Sequence, residues 1–351
     1  MPPMHLSDSP FSFGFPLTRL RPVFRSGALL RRLVTCTWFG VTASVQAGTC
    51  AASGVSVLPV LPGVSVVHGR WRAVDPLTPD HIATTVVLGQ GPELTVLDPG
   101  PTVAQGRGLA RALRCDRTQR VVRLVNSHAH AEQTLANAAF AAPIAATAAT
   151  RAAMQGRCPS CLASMRVDLG PAALRGTRIR WPTEELRDGE WLQAGGRDWQ
   201  VVEMPLAHTE SDLVLWNANE RIALAGPLVD GVRLVLAQGS VQGWLDALER
   251  LASMRVQWLI GQHLVVQGDA VPEALAAQRQ ALCHLVHQAW QGLEKGWTES
   301  EVLQQAADGA GREADRRLQR FNLLRVWREM ESRWIAQQPM PSACSTPDVG
   351  R

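Results

Sequence analysis

A short, mostly apolar run at residues 121–125 ends in the motif Asn126-Ser-His-Ala-His130. A run of this kind predicts a buried strand, and such a strand delivers the residues that follow it to one edge of a sheet. Because alternate residues of an extended segment face the same way, His128 and His130 can reach one metal ion. The same spacing also occurs in pairs of hydrogen-bonded loop histidines, so the motif alone leaves both readings open.

Strand-like and helical patterns alternate along the rest of the chain, which predicts an α/β (α+β layered) fold with its site at one sheet edge. Strands are predicted at residues 64–67, 82–88, 94–97, 121–125, 143–147, 199–205, 213–217, 221–224 and 256–260. Helices are predicted at residues 102–114, 132–140, 151–165, 241–254, 272–293, 299–307 and 316–335, the third of them interrupted by a cysteine pair. Residues 339–351 are predicted to form a flexible tail.

Residues 1–47 predict a secretory signal peptide: arginines precede a weakly apolar run, and small residues stand at 45–47, where a signal peptidase would cut. The run is too short and too polar for a membrane span, which needs ~20 apolar residues. The pair Arg31-Arg32 also permits a twin-arginine route. We therefore expect a periplasmic protein without stable membrane insertion after cleavage.

The charge of the chain beyond this leader is balanced. Of 35 Lys+Arg and 31 Asp+Glu, five arginines and one aspartate lie in residues 1–47, which leaves 30 basic and 30 acidic residues. A neutral chain has no bulk electrostatic attraction to nucleic acid or to an anionic membrane. We expect a small-molecule substrate and no nucleic-acid partner.

Six of the seven cysteines lie beyond residue 47, and an even number suits an oxidising compartment. Cys158 and Cys161 form a C-x-x-C motif, which can be half a zinc knuckle, a redox pair or a small-loop disulfide. The sequence has no second pair at a similar spacing and no thioredoxin-like βαβ pattern around this one. We therefore predict a structural disulfide between Cys158 and Cys161.

The order of motifs along the chain resembles the metallo-β-lactamase fold superfamily from about residue 60 to 270. The motifs that carry this resemblance are Asp98-Pro-Gly100, Asn126-Ser-His-Ala-His130, Glu132-Gln133, Leu206-Ala-His208-Thr209, Ser211-Asp212, Leu224-Ala-Gly226 and Gly261-Gln-His263. Arg157-Cys158 with Cys161, and Arg325-Val-Trp-Arg-Glu-Met-Glu331, resemble the exported quinoprotein relay system zinc metallohydrolases. The resemblance implies an αββα sandwich over residues 48–270 and a helical extension over 271–338.

The resemblance makes His128, His130 and His208 the three imidazoles of the first metal position. Three neutral imidazoles and one water form an open zinc site, in which the metal lowers the pKa of its water to about 7. In this family Asp98 positions the metal loop, here by accepting hydrogen bonds from backbone amides. Its occurrence in Asp-Pro-Gly is equally consistent with a turn former. Thr209 and Asp212 are expected to order the loop of His208.

Each ligand of the family's second metal position is altered. The Asp-His pair is replaced by Glu132 and Gln133, the bridging Asp by Pro227, and the last His by Gln262. Proline cannot ligate through its side chain, and an amide is a poor substitute for imidazole. His263 lies one residue after the position of the family's last His, and Asp230 lies three residues after that of the bridging Asp. A local shift of the chain would be needed for either to bind a metal. We therefore expect one zinc ion.

Two main functions follow from the resemblance. The first is a hydrolase that uses a single zinc-bound hydroxide on an ester, thioester or amide-like substrate. In this hydrolase Glu132 acts as general base. An equally good interpretation is that Glu132 is a surface carboxylate in the first turn of a helix, where negative charge is favoured. The second is a noncatalytic binding or accessory protein near periplasmic quinoprotein dehydrogenases. A zinc carrier or sensor without turnover is a third reading.

Overall fold

The computed structural model describes residues 55–68, 83–114, 118–230, 234–236, 238–307 and 313–345. The predicted signal peptide, Cys50 and Cys115 lie outside these ranges. No helix within them is long and apolar enough to cross a membrane.

The described chain alternates strands and helices, as the sequence predicts. The strands are β1 (Leu58–Leu61), β2 (Val64–Val67), β3 (Thr85–Leu88), β4 (Glu93–Leu97), β5 (Arg120–Val125), β6 (Ile144–Ala146), β7 (Glu184–Glu185), β8 (Trp191–Ala194), β9 (Arg197–Pro205), β10 (Ser211–Asn217), β11 (Ile222–Gly226), β12 (Trp258–Gly261) and β13 (Val265–Gln267). The α-helices are α1 (Val103–Leu113), α2 (Ala131–Thr134), α3 (Ala148–Ala173), α4 (Val241–Ser253), α5 (Ala270–Glu294), α6 (Glu299–Ala307) and α7 (Glu313–Ile335). Two short 3-10 helices span Leu135–Ala139, directly after α2, and Ser342–Cys344, after α7.

Two mixed sheets face each other. The first contains seven strands in the order β1 to β7, and the second contains six in the order β13-β12-β11-β10-β9-β8. Strand β5 pairs in parallel with β4 and β6, and β11 pairs in parallel with β12. Apolar side chains from the facing surfaces, among them Leu88, Val125, Trp199 and Leu215, form one core between the sheets.

Helices cover the outer face of each sheet, which completes an αββα sandwich. On the first sheet, Leu109 of α1 packs against Val96 and Leu124. On the second, residues of α4, α5 and α7 share a core with β9 and β10 that includes Trp244 and Trp327. The predicted C-terminal extension is therefore packed onto the second sheet.

The C-terminal segment differs from its prediction. Cys344 is buried and forms a disulfide with Cys283 of α5. The His287 Nε2 lies 2.7 Å from the backbone oxygen of Cys344, which adds a second attachment. The prediction of a flexible tail is therefore wrong for residues 339–345, because a covalent bond and a buried side chain hold them on α5.

Helix α3 also differs, since it runs through the cysteine pair without interruption. Cys158 and Cys161 are free thiols, so the predicted disulfide between them is wrong. The helix buries Met154, Cys158 and Leu162, which stand four residues apart and therefore lie on one face. Burial of this face stabilises the helix although Pro159 removes one backbone donor.

Candidate metal centre

Two loops, one from each sheet, bring the three predicted histidines together. His128 and His130 follow β5 of the first sheet, and His208 lies between β9 and β10 of the second. A backbone hydrogen bond from Leu213 N of β10 to Ser127 O, 2.8 Å long, joins the second sheet to the loop that follows β5. One ligand atom from each histidine lies within 4.8 Å of the others. Within the described residues, this is the one group of three or more His, Cys, Asp or Glu side chains with that geometry.

The orientation of His128 is set by two residues behind it. The Ser127 hydroxyl donates to Asp98 Oδ2 at 2.5 Å and lies 2.9 Å from His128 Nδ1. Because the one hydroxyl proton is used on the carboxylate, Ser127 accepts from His128 Nδ1–H, and Nε2 carries the lone pair. That Nε2 is buried and has no hydrogen-bond partner. A buried acceptor without a partner is costly, and a metal ion would satisfy it.

Asp98 holds the loop as predicted, by accepting from a backbone amide. Ser127 N donates to Asp98 Oδ1 at 2.9 Å. Asp98 itself adopts φ 52°, in the left-handed region that an aspartate tolerates better than most residues. Burial raises the pKa of Asp98 to about 6, and the two hydrogen bonds from Ser127 act in the opposite direction.

His130 and His208 contact each other directly. His208 Nε2 lies 3.1 Å from His130 Nδ1, and the Nε2 of His130 lies 2.8 Å from Gln238 Oε1. The ring centroids of the three histidines are 4.7 to 5.2 Å apart with edge-to-face angles, and Trp244 packs on His208 at 5.1 Å. Ring contacts among the three histidines and Trp244 therefore hold the cluster in place.

Burial keeps His128 and His208 in the neutral form that binds metals. Burial, followed by the neighbouring His130 and His208, holds the pKa of His128 well below its usual value. The pKa of His208 is lowered by burial and by His130. A neutral imidazole is the metal-binding form, so both residues are ready ligands near neutral pH. Three nitrogen donors of this kind suit zinc.

The loop of His208 is braced as the sequence predicts. Thr209 N donates to Asp212 Oδ2 at 2.8 Å, and the Thr209 hydroxyl donates to Asp212 Oδ1 at 3.0 Å. Burial raises the pKa of Asp212 to about 7, although these bonds oppose the shift. Glu210 of the same loop forms an ion pair with Arg157 of α3.

Comparison with known proteins identifies the fold. No protein-family model matches the sequence, and neither does any curated protein. The sec-alkylsulfatase Pisa1 from Pseudomonas sp. superposes with a TM-score of 0.60 at 17% identity, over 82% of this chain and 52% of its own. A β-lactamase domain protein from Burkholderia ambifaria gives 0.58 at 16% identity, over 83% and 91%. A metallo-β-lactamase from Hirschia baltica gives 0.50 at 15% identity, over 64% and 97%.

The chain has the metallo-β-lactamase fold. It spans about half the length of the alkylsulfatase, 52%, and nearly all of the Burkholderia ambifaria domain, 91%.

Within this metallo-β-lactamase fold, the residues predicted around a second metal position do not join the histidine cluster. Asp230 and His263 pair with each other, Oδ1 to Nδ1 at 3.1 Å, and the His263 amide donates to Asp230 O. Gln133 is buried, and its side-chain Oε1 has no hydrogen-bond partner. The backbone N–H of Gln262 donates to Val229 O. Glu132 is partly buried in the first turn of α2, outside the cluster of ligand atoms.

One free thiol, Cys158, lies behind the loop that carries His128 and His130. Cys158 packs against Ala129, which stands between the two histidines, and its Sγ lies 3.8 Å from Ala129 O. Burial raises the pKa of Cys158 to about 11, with a further increase from Cys161. Cys158 is therefore a protonated packing residue behind the site.

Three contributors were not predicted from the sequence: the Ser127 hydroxyl, Gln238 and Trp244. Ser127 stands beside a predicted ligand, and a serine at that place is the one local signal. Gln238 is separated from His130 by 108 residues and no local pattern marks it. Such contacts follow from the fold.

Proposed function

We propose that this protein is an exported, metal-dependent hydrolase that holds a single zinc ion through His128, His130 and His208. The observation that carries the proposal is the buried His128 Nε2, which has no partner, in a cluster where one ligand atom of each of three histidines lies within 4.8 Å of the others. Its orientation by Ser127 and Asp98 matches the way that outer residues fix metal-binding histidines in proteins.

A bound zinc ion would supply hydroxide at neutral pH, because it lowers the pKa of its water ligand to about 7. The chain supplies the three imidazoles and the braced loops that hold them. Glu132, two residues after His130 at the start of α2, is our candidate for the general base that accepts the proton. The substrate classes are esters, thioesters and amide-like compounds, and the likeness to an alkylsulfatase adds sulfate esters.

Turnover of these substrate classes by zinc-loaded protein tests the proposal. We expect measurable hydrolysis of at least one class, which His208→Ala abolishes together with metal binding. Glu132→Gln should retain the metal and lower the rate about 10²- to 10⁴-fold, the usual contribution of a general base. Unchanged turnover in Glu132→Gln would remove this residue from the mechanism while leaving the zinc site in place.

A noncatalytic accessory role is the second candidate. Asp230 and His263 are the nearest replacements for the altered ligands of the second metal position. They pair with each other and do not join the histidine cluster, which favours a noncatalytic role. A protein of this kind would bind zinc but show no turnover above buffer with any substrate class. A periplasmic quinoprotein dehydrogenase system is the proposed partner in that case.

Export is the proposed location for either function. The disulfide between Cys283 and Cys344 supports it, since disulfides persist mainly in oxidising compartments. The proposed leader, residues 1–47, is tested by sequencing the amino terminus of protein recovered from a periplasmic extract. An amino terminus within the first few residues of the printed sequence would contradict the proposal.

A further inference from the structure

The described residues just before α4 lie directly beside the histidine cluster. We call residues 234–236 and 238–240 the site loop. Gln238 of this loop contacts His130, and Gly239 N donates to His208 O at 3.2 Å. The loop therefore touches two of the three histidines.

Gln238 determines which nitrogen of His130 carries the proton. The amide oxygen of a glutamine can only accept, so His130 Nε2 must donate its proton to Gln238 Oε1, 2.8 Å away. The other nitrogen, Nδ1, then holds the lone pair and faces His208 Nε2 at 3.1 Å. Gln238 thus does for His130 what Ser127 does for His128.

The site loop lies too close to the His208 loop to move independently. A Cβ on Gly239 would lie 1.6 Å from Ala207 O, and one on Gly243 would lie 2.3 Å from Leu206 O. Ser240 N also donates to Leu206 O at 2.8 Å. Backbone packs on backbone here, so the position of the site loop and that of His208 are coupled.

Three residues of α7 hold the site loop from the outside. Asn322 bonds two residues of the site loop, donating to Leu234 O at 2.8 Å and accepting from Leu236 N at 2.9 Å. Arg325 donates to Gly239 O at 3.3 Å. These residues and Glu329 stand three and four positions apart, which places them on one face of the helix.

Glu329 makes the densest of these contacts. Its carboxylate accepts from the Ser240 hydroxyl at 2.9 Å, from Val241 N at 2.9 Å and from Gln242 N at 3.0 Å. The two amides belong to the first turn of α4, where backbone donors lack partners within the helix and negative charge is favoured. Glu329 therefore joins α7 to the junction of the site loop and α4.

We propose that α7 is a positioning element of the metal centre: Asn322, Arg325 and Glu329 fix the site loop so that Gln238 holds His130 with Nδ1 free for the metal. This inference rests on the proposed zinc site. Gln238 and Glu329 are positioning residues, and neither is a ligand. The sequence motif from Arg325 to Glu331, which lies far from the ligands in the chain, thereby acquires a role at the site.

The test compares Gln238→Ala, Glu329→Ala and the double variant in the full chain. Replacing partners of metal-bound histidines weakens metal affinity about 10- to 100-fold, and we expect this for Gln238→Ala. Glu329→Ala should weaken zinc affinity about tenfold, and the double variant should lie within about twofold of Gln238→Ala, because both changes act through one contact. Gln238→Glu keeps the acceptor and should retain wild-type affinity.

Arg328→Ala is the matched control on the same helix. Arg328 is exposed and pairs with Glu299 away from the site loop, so zinc affinity should be unchanged. Thermal unfolding of the metal-free proteins checks that each variant folds. If Glu329→Ala does not fold, Glu329→Gln, which keeps one acceptor oxygen, replaces it.

A metal-free readout separates this inference from the proposed function. Long-range ¹H–¹⁵N spectra of histidine-labelled apoprotein report the tautomer of each ring. We expect His130 to be protonated at Nε2 in the wild type and to lose that preference in Gln238→Ala and Glu329→Ala. An unchanged tautomer in Glu329→Ala, or zinc effects that multiply in the double variant, would overturn the role of α7. Failure of the wild type to bind zinc would instead overturn the proposed function.

Discussion

At the residue scale, the geometry of the histidine cluster depends on hydrogen bonds behind the histidines. Ser127 donates its one hydroxyl proton to Asp98 and accepts from His128, so its side chain serves two buried groups. Removing it leaves a carboxylate oxygen and an imidazole N–H without those partners. Losses of this kind cost more than the net value of a hydrogen bond, because a desolvated group is left unsatisfied.

We expect Ser127→Ala to lower the free energy of unfolding by about 1–3 kcal/mol and to weaken zinc binding. Urea unfolding of the metal-free protein measures the first effect. Ser253→Ala is the control, since Ser253 is exposed and bonds only the nearby Arg250 O, and it should change stability by less than about 0.5 kcal/mol. Equal effects of the two substitutions would show that the Ser127 bond is not important.

Asp98 provides a pH prediction. Its pKa in the folded chain is raised to about 6 from the ordinary 3.8, so the folded state keeps the proton to higher pH than the unfolded state. The free energy of unfolding that Asp98 contributes to the apoprotein must therefore fall as pH rises from about 4 to 6, and level off above. The difference in free energy of unfolding between wild type and Asp98→Asn should follow this curve. A difference that grows with pH would show that the pKa is lowered.

The histidine triad could be predicted from the sequence because the H-x-H motif and the later Leu-Ala-His motif occur in the order that resembles the metallo-β-lactamase superfamily. The hydrogen-bond partners of the histidines, Ser127 and Gln238, could not, although Asp98, which accepts from Ser127, was predicted to hold the loop. Gln238 is one glutamine among many in the chain, and its role depends on a contact across 108 residues. The Cys158 and Cys161 disulfide was predicted wrongly because spacing alone does not distinguish a bridged loop from two thiols on a continuous helix.

At the element scale, helices were predicted more accurately than short strands. Helix α4 begins after Ser240, whose hydroxyl accepts from Gly243 N, as the capping signal predicts. Strands such as β7, with two acidic residues, and β13 carry too few residues for a recognisable period. They form because neighbouring strands offer them backbone partners, which is information from the tertiary structure.

The contact between the site loop and the His208 loop gives an element-scale prediction. Gly239→Ala places a methyl group on Ala207 O, so the loop must shift. We expect a loss of about 1–3 kcal/mol in the free energy of unfolding and weaker zinc binding. Gly156→Ala is the matched control, since no neighbouring atom lies within 4 Å of its added methyl group in α3. That change should be neutral or stabilising, by up to about 1 kcal/mol. Equal outcomes for the two glycines would contradict the close approach.

At the scale of the whole molecule, the second sheet of the sandwich and the C-terminal helices share one core, and a disulfide holds the end of the described chain on α5. The disulfide between Cys283 and Cys344 closes a separation of 61 residues and fixes the end of the described chain on α5. Even cysteine numbers indicated pairing, but sequence alone cannot give the connectivity. The motif order predicted the sandwich, whereas the packing of α7 against the site required the structure.

Removing this disulfide should destabilise the protein without emptying the site. We expect Cys283→Ala with Cys344→Ala to lower the free energy of unfolding by about 2–5 kcal/mol.

Mass spectrometry of unreduced peptides should show Cys283 joined to Cys344, with Cys158 and Cys161 alkylated as thiols after denaturation. A peptide joining Cys158 to Cys161 would contradict the structure.

Whether the three histidines form a zinc site is decided by the zinc content of the purified protein. The chain is purified without chelator beside His208→Ala and analysed by plasma mass spectrometry. We predict about one zinc ion per wild-type chain, with none retained by the variant. A folded wild-type protein that carries no metal, and takes up none when zinc is added, would show that the three histidines do not form a zinc site.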